Sequence, residues 1–156
     1  MHSENSIVMS ASPERIFDVA SDLSRWPSIL PHYRWITYLN RSMNRNVVIM
    51  AAMRALPILT GVGIPIQWTS EQEIDRERME MRFHHLKAFT KGMRVVWTFT
   101  PTKAGTEVRI VHDLHSNIPV LGKLIAEPLI GRFFIHFIAN QTLKHMKVFM
   151  EGNNGS

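Results

Sequence analysis

The chain has 156 residues, no cysteine, 45% hydrophobic and 20% charged residues, and a formal net charge of +5. That length suits one domain able to bury a core without staples, and the missing cysteines exclude disulfides and thiolate chemistry and make a reducing cytoplasm the expected setting. The 18 Lys and Arg are scattered rather than interleaved with stacking aromatics, so a nucleic-acid groove is not expected; mild basicity points to solubility or an acidic protein partner.

The opening MHSENSIVMSASPE has no basic segment followed by an apolar one, so no signal peptide is expected. NSIVMSAS (5–12) reads as a first strand. Ser12-Pro13-Glu14 then starts a helix over about 13–22: a hydroxyl cap, a proline at the first helical position, and an acid at the positive dipole end. DLSRWPSILPHY reads as a second, short helix interrupted by Pro27 and Pro31. Strand patterns follow near 33–42, 45–53, 64–75, 78–86, 91–101 and 105–116, with turns at NRSMNR, IDRERM and TKAGTE. The weakly polar run ALPILTGVGIPI (55–66) is too short to span a bilayer and is broken by Pro57, Gly61, Gly63 and Pro65. It reads either as a lid or as a loop packed on the body.

From about residue 120 the period changes. Leu121, Leu124, Ile125, Leu129, Phe133, Phe137, Leu143, Met146 and Phe149 predict a long helix over about 120–150, kinked at Pro128 and ended by Gly152. The expectation is a single domain over 1–152 with a frayed tail at 153–156. Its class is α+β: a curved antiparallel sheet of about seven strands wrapped around a long C-terminal helix, with two short helices near the N-terminus. Such a sheet cannot close on the helix everywhere, and the gap is a natural ligand site.

Strand alternation says what lines that gap. IPIQWTSEQEID sends Trp68, Ser70 and Gln72 inward; the next strands send Met81, Phe83 and His85, then Trp97, then His112. The polar four are either satisfied within a core or met by a guest, because each costs roughly 1–3 kcal/mol if buried without a partner. No metal site is expected, since His84 and His85 point to opposite sides of a strand and no HExxH is present. No phosphate loop or cofactor motif is present either.

Three segments carry a resemblance. NSIVMSASPERIFDVASDLSRWPSILPHY, VVWTFTPTKAGTEVRIVHDL and IANQTLKHMK resemble the N-terminal strand, helix and Trp-Pro hinge, the last hairpin, and the closing helix of bacterial polyketide aromatase/cyclases. Those enzymes belong to the START-like, or Bet v 1-like, helix-grip superfamily. The resemblance implies a cavity in which a carrier-bound poly-β-ketone folds, closes a ring by aldol addition and loses water, with no cofactor. It places Trp26 and Tyr33 at the mouth, and Trp68, Ser70 and Trp97 in the pocket. Trp35, Met81, Phe83, Phe133 and Phe137 join them as candidate ligand contacts. His112 falls where some members have Gln, and Thr142 where some have Asn. Where the well-characterised members have an arginine, this chain has Gln72, which donates a hydrogen bond but supplies no proton.

The resulting expectation assigns Ser70 and Gln72 to oxyanion stabilisation and His112 or His85 to proton abstraction. Arg41, Arg45 and Arg54 are candidates for docking an acyl carrier protein. The alternative is a protein that binds a lipid, quinone or isoprenoid without chemistry. Oligomeric state is not legible.

Overall fold

The computed structural model describes residues 1–55, 63–115 and 134–152. Seven strands form one antiparallel sheet: β1 (His2–Met9), β2 (Tyr33–Arg41), β3 (Arg45–Ala55), β4 (Gly63–Asp75), β5 (Glu80–His85), β6 (Arg94–Thr102) and β7 (Gly105–Asp113), in the spatial order β1-β7-β6-β5-β4-β3-β2. Between β1 and β2 run α1 (Pro13–Ser21), a single 3-10 turn (Leu23–Arg25) and α2 (Trp26–Ile29). The chain ends in α3 (Phe137–Gly152), entered through a wider helical turn at 134–136. The expected α+β sheet-and-helix arrangement is the one observed. The predicted helix span 120–133, its kink at Pro128, the candidate Phe133, most of the 55–66 run and the tail 153–156 lie outside the described residues.

Local chemistry accounts for the element ends. The Ser12 hydroxyl accepts from the Arg15 amide at 3.3 Å and Pro13 occupies the first turn of α1, so the helix starts where the sequence says it should. α1 turns Ile16, Phe17 and Ala20 onto the sheet. β1 begins earlier than hydropathy suggests. His2 and Glu4 are exposed, yet the strand pairs with β7 from His2↔Asp113 to Met9↔Thr106, and His2 Nδ1 meets Asp113 at 2.6 Å. β6 begins later, because residues 86–93 form a hydrogen-bonded loop with positive φ at Ala88 (73°) and Gly92 (88°).

α3 is tied to β1 by side chains. Asn5 Nδ2 donates to Asn140 Oδ1 at 2.7 Å, and Lys147 Nζ donates to the Val8 carbonyl at 2.8 Å. The adjoining stripe of the helix buries Leu143, Met146 and Met150 in one apolar cluster that also takes in Met9, Phe17, Trp26, Met81 and Trp97. No helix among the described residues is long and apolar enough to cross a membrane.

Candidate functional site

The concave face of the sheet, α2 and the first turns of α3 leave a hollow between them. Its interior volume is about 60 Å³, within an envelope of about 590 Å³ that includes an open mouth. The walls are apolar: Trp26 from α2, Trp68 from β4, Phe83 from β5, Trp97 from β6, and Ile135, Ile138 and Ala139 from the start of the C-terminal helical region. Trp26 is the hub. Its ring centroid lies 5.1 Å from Tyr33, 6.2 Å from Phe83 and 5.6 Å from Trp97, while its indole N–H donates to the Ala20 carbonyl at 3.1 Å. An aromatic whose only polar atom is satisfied outside the cavity presents a purely apolar face to a guest.

Besides the tryptophan indoles, five described side chains bring polar atoms to the lining: Tyr33, His85, Thr90, His112 and Thr142. Thr142 is saturated. Its hydroxyl donates to the Ile138 carbonyl at 2.7 Å and receives His32 Nε2 at 2.9 Å. With the threonine proton committed, the His32 proton sits on Nε2 and its buried Nδ1 has no partner. Burial, then the charge of His145, holds His32 down to about 4. Tyr33 is raised well above the phenol range by burial, partly offset by its hydrogen bond to Thr142. His85 stacks on Trp68 (5.8 Å, 18°) and its Nδ1 meets Thr90 Oγ1 at 2.7 Å. Burial first, then His112 and His84, lowers His85 to about 3; burial lowers His112 to about 4 against a weak upward pull from Asp113. The His112 Nδ1 is buried without a partner. Every polar group of the lining is therefore uncharged at neutral pH.

The expected site residues divide. Trp26, Tyr33, Trp68, Phe83, His85, Trp97, His112 and Thr142 come together around the hollow. Ser70 and Gln72 do not. Both side chains are fully buried on the concave side, as alternation requires, but their hydrogen bonds are spent inside the protein. Ser70 Oγ donates to the His84 carbonyl at 3.1 Å. Gln72 Nε2 donates to the Ser21 carbonyl at 3.1 Å and contacts Met81 Sδ at 3.2 Å, and its Oε1 accepts from Asn46 at 2.9 Å. The last turn of α1 covers this end of β4, so the amide joins a helix end to two strands rather than facing a guest. Met81 is sealed beside it.

Trp35, expected as a ligand contact, faces away from the hollow. Tyr33 pairs with Ala52 and Trp35 with Ala51, so a bulge between them reverses the face, and Trp35 is 43% exposed. Phe137 lies off the cavity beneath the Arg54 guanidinium, 4.3 Å from its ring centroid. The docking candidates Arg41 and Arg45 are engaged by Asp22 (3.7 Å) and by Glu71 and Glu73 (3.9 and 3.8 Å). Sequence reasoning passed over Thr90 and Phe89 on the loop between β5 and β6, and His32 before β2. Loop residues have no alternation to betray their facing. Among the described residues no group of three His, Asp or Glu is placed to hold a metal.

A strongly curved sheet gripping a terminal helix over an apolar hollow defines the helix-grip, Bet v 1-like class. The family described as polyketide cyclase / dehydrase and lipid transport matches residues 9–142, and the chain belongs to it. A Streptomyces cyaneus protein provisionally named a polyketide cyclase is 28% identical over 113 residues, covering 72% of this chain and 71% of that protein. Two solved structures share the fold. The Zhui aromatase/cyclase of Streptomyces sp. R1128 has a TM-score of 0.78 at 17% identity over 97% of this chain and 93% of its own. The di-domain aromatase/cyclase BexL has a TM-score of 0.73 at 21% identity, over 98% of this chain and 48% of that longer one.

Proposed function

We propose that the protein binds a β-keto chain in this hollow and promotes its aldol cyclisation and dehydration. The observation that carries the reading is an apolar wall with Trp26, Trp68 and Trp97 whose polar groups, among the described residues, are uncharged hydrogen-bonding ones. Folding a flexible chain into one ring-forming geometry supplies several kcal/mol of the barrier by positioning alone. His112 takes the role of base: burial weakens it but keeps it neutral, with a lone pair to take a proton from the carbon between two carbonyls. The enolate carbon adds to a ketone within reach, the new alkoxide takes a proton, and loss of water gives the unsaturated ring. With Ser70 and Gln72 spent elsewhere, the group that polarises the ketone is a different one. An interior of about 60 Å³ suits a slim or planar guest, and flexible lining groups such as Met50 must move for a larger one. Delivery by an acyl carrier protein belongs to the proposal.

The second reading is carriage of a lipid, quinone or isoprenoid without chemistry. The off-cavity placement of Ser70 and Gln72 favours it, because a carrier needs no oxyanion donors. One experiment separates the two: cyclised product from a poly-β-ketothioester is measured with wild type, with His112→Ala, and with no protein. The cyclase reading expects turnover in wild type and its loss in His112→Ala with guest affinity largely kept. Equal rates in all three leave the carrier.

A further inference from the structure

His85 is held in one orientation from three sides. Its ring lies nearly parallel to the Trp68 indole, its backbone N–H donates to the Met93 carbonyl at 2.9 Å, and its own carbonyl accepts from the Gly92 amide at 2.8 Å. Those backbone bonds close the loop of residues 86–93 onto the end of β5, and the Met93 amide, donating to the Thr90 carbonyl at 2.9 Å, fixes Thr90 within it. Thr90 is 2% exposed, and its hydroxyl meets His85 Nδ1 at 2.7 Å.

Proton accounting chooses the tautomer. Among the described residues His85 Nδ1 is the only hydrogen-bond partner of the Thr90 hydroxyl. If Nδ1 carried the ring proton, the threonine O–H would be buried with nowhere to donate, at a cost comparable to a lost hydrogen bond. If the threonine donates to Nδ1, both atoms are satisfied and the ring proton moves to Nε2. That nitrogen is the remaining polar atom of a side chain that lines the cavity.

We propose that Thr90 locks His85 as the Nε2–H tautomer, and that this N–H is a hydrogen-bond donor site in the cavity for a carbonyl oxygen of the guest. The inference deepens the cyclase reading and rests on it only for what the carbonyl belongs to. It divides labour between the two cavity histidines: His85 polarises a ketone as a neutral donor, and His112 remains the proton acceptor. A fixed neutral donor in an apolar wall stabilises charge developing on that oxygen without reorganising. His85 thereby fills the electrophilic role that Ser70 and Gln72 do not.

Two measurements test it. Long-range proton–nitrogen correlation spectra of the wild-type imidazoles at neutral pH report the tautomer without a ligand; the expected pattern for His85 is a protonated Nε2 and a bare Nδ1. In the isosteric Thr90→Val that pattern is expected to give way to mixed tautomers. The probe is 2-acetylnaphthalene, with 2-ethylnaphthalene as its carbonyl-free control. Bound ketone should show a carbonyl stretch lowered from its value in alkane, and His85→Phe should abolish that lowering. The same variant should weaken the ketone about two- to tenfold more than the hydrocarbon, the worth of one hydrogen bond. A bare Nε2 in wild type, an unchanged spectrum in Thr90→Val, or a carbonyl stretch indifferent to His85→Phe overturns the proposal. A protein that shows the expected spectra but closes no ring keeps the donor site and loses the cyclase reading. Ring closure with the opposite tautomer does the reverse.

Discussion

Replacing Gln72 by leucine conserves volume but strips the Ser21 carbonyl of a donor and the Asn46 amide of an acceptor, both deep in the protein. The expected cost is about 2–4 kcal/mol of stability, read as a lower melting temperature, with cyclisation per folded molecule unchanged. His112→Gln should do the opposite, keeping most of the stability and losing the rate. The pH profile follows from the same residue. With His112 held near 4 by burial, the unprotonated base persists well below the ordinary histidine range. The rate should stay level from neutrality down to about pH 5 and fall below it, whereas a base near 6.5 would already be failing at pH 6. Of the residues expected at the site, Trp68, Phe83, Trp97 and the two strand histidines were legible as inward-facing because strand parity decides which face they take. Ser70 and Gln72 were legible as inward but not as satisfied, since their partners on α1 and neighbouring strands are far off in sequence.

Among the elements, turns carry the sharpest consequences. Gly105 opens β7 at φ 138°, and a Cβ built there would stand 2.1 Å from the Met9 carbonyl oxygen of β1. Gly105→Ala must push apart the paired ends of β1 and β7, and the expected result is a loss of several kcal/mol or failure to fold, checked by denaturant titration. Ala88 is the converse. Its φ of 73° costs an L-residue about 1–2 kcal/mol, so Ala88→Gly should be neutral to stabilising and leave the Thr90–His85 contact in place. These positions also explain where pattern reading stopped. Met93 and Val95 alternate as a strand should, which drew the predicted β6 back to residue 91, while the positive φ values that make 86–93 a loop leave no hydropathy signal. The bulge that turns Trp35 outward is equally silent, because one extra residue changes no composition. β3, β4 and β7 were plain because buried positions alternate with less buried ones along most of each strand.

Across the whole molecule, three histidines are kept neutral, His32 and His85 buried and His112 half-buried with its Nδ1 shielded. His32 and His112 are held near 4 and His85 near 3, all chiefly by burial, against an unfolded value of 6.5. Between those values the unfolded chain binds more protons than the folded one. The stability they contribute is therefore complete above about 6.5 and is lost as pH falls toward 4, on the order of 3 kcal/mol for each histidine. Chemical denaturation at pH 7 and pH 5 should show that loss, and His32→Phe should flatten the slope by about one proton. The fold was readable from strand alternation followed by a change of period near residue 120, and the family from three resembling segments spread over the chain. The detailed occupant was not, because the polar lining joins Tyr33, His85 and His112 from three strands to Thr90 of a loop and Thr142 of α3, residues far apart in sequence.

The central claim is that this neutral, aromatic-walled hollow closes a ring on a β-keto chain, and following a poly-β-ketothioester to product with wild type and His112→Ala tests it most directly. The account predicts cyclised product well above the protein-free rate in wild type, collapsing in the variant while guest binding survives. Product formation that neither the protein nor His112 alters would contradict it.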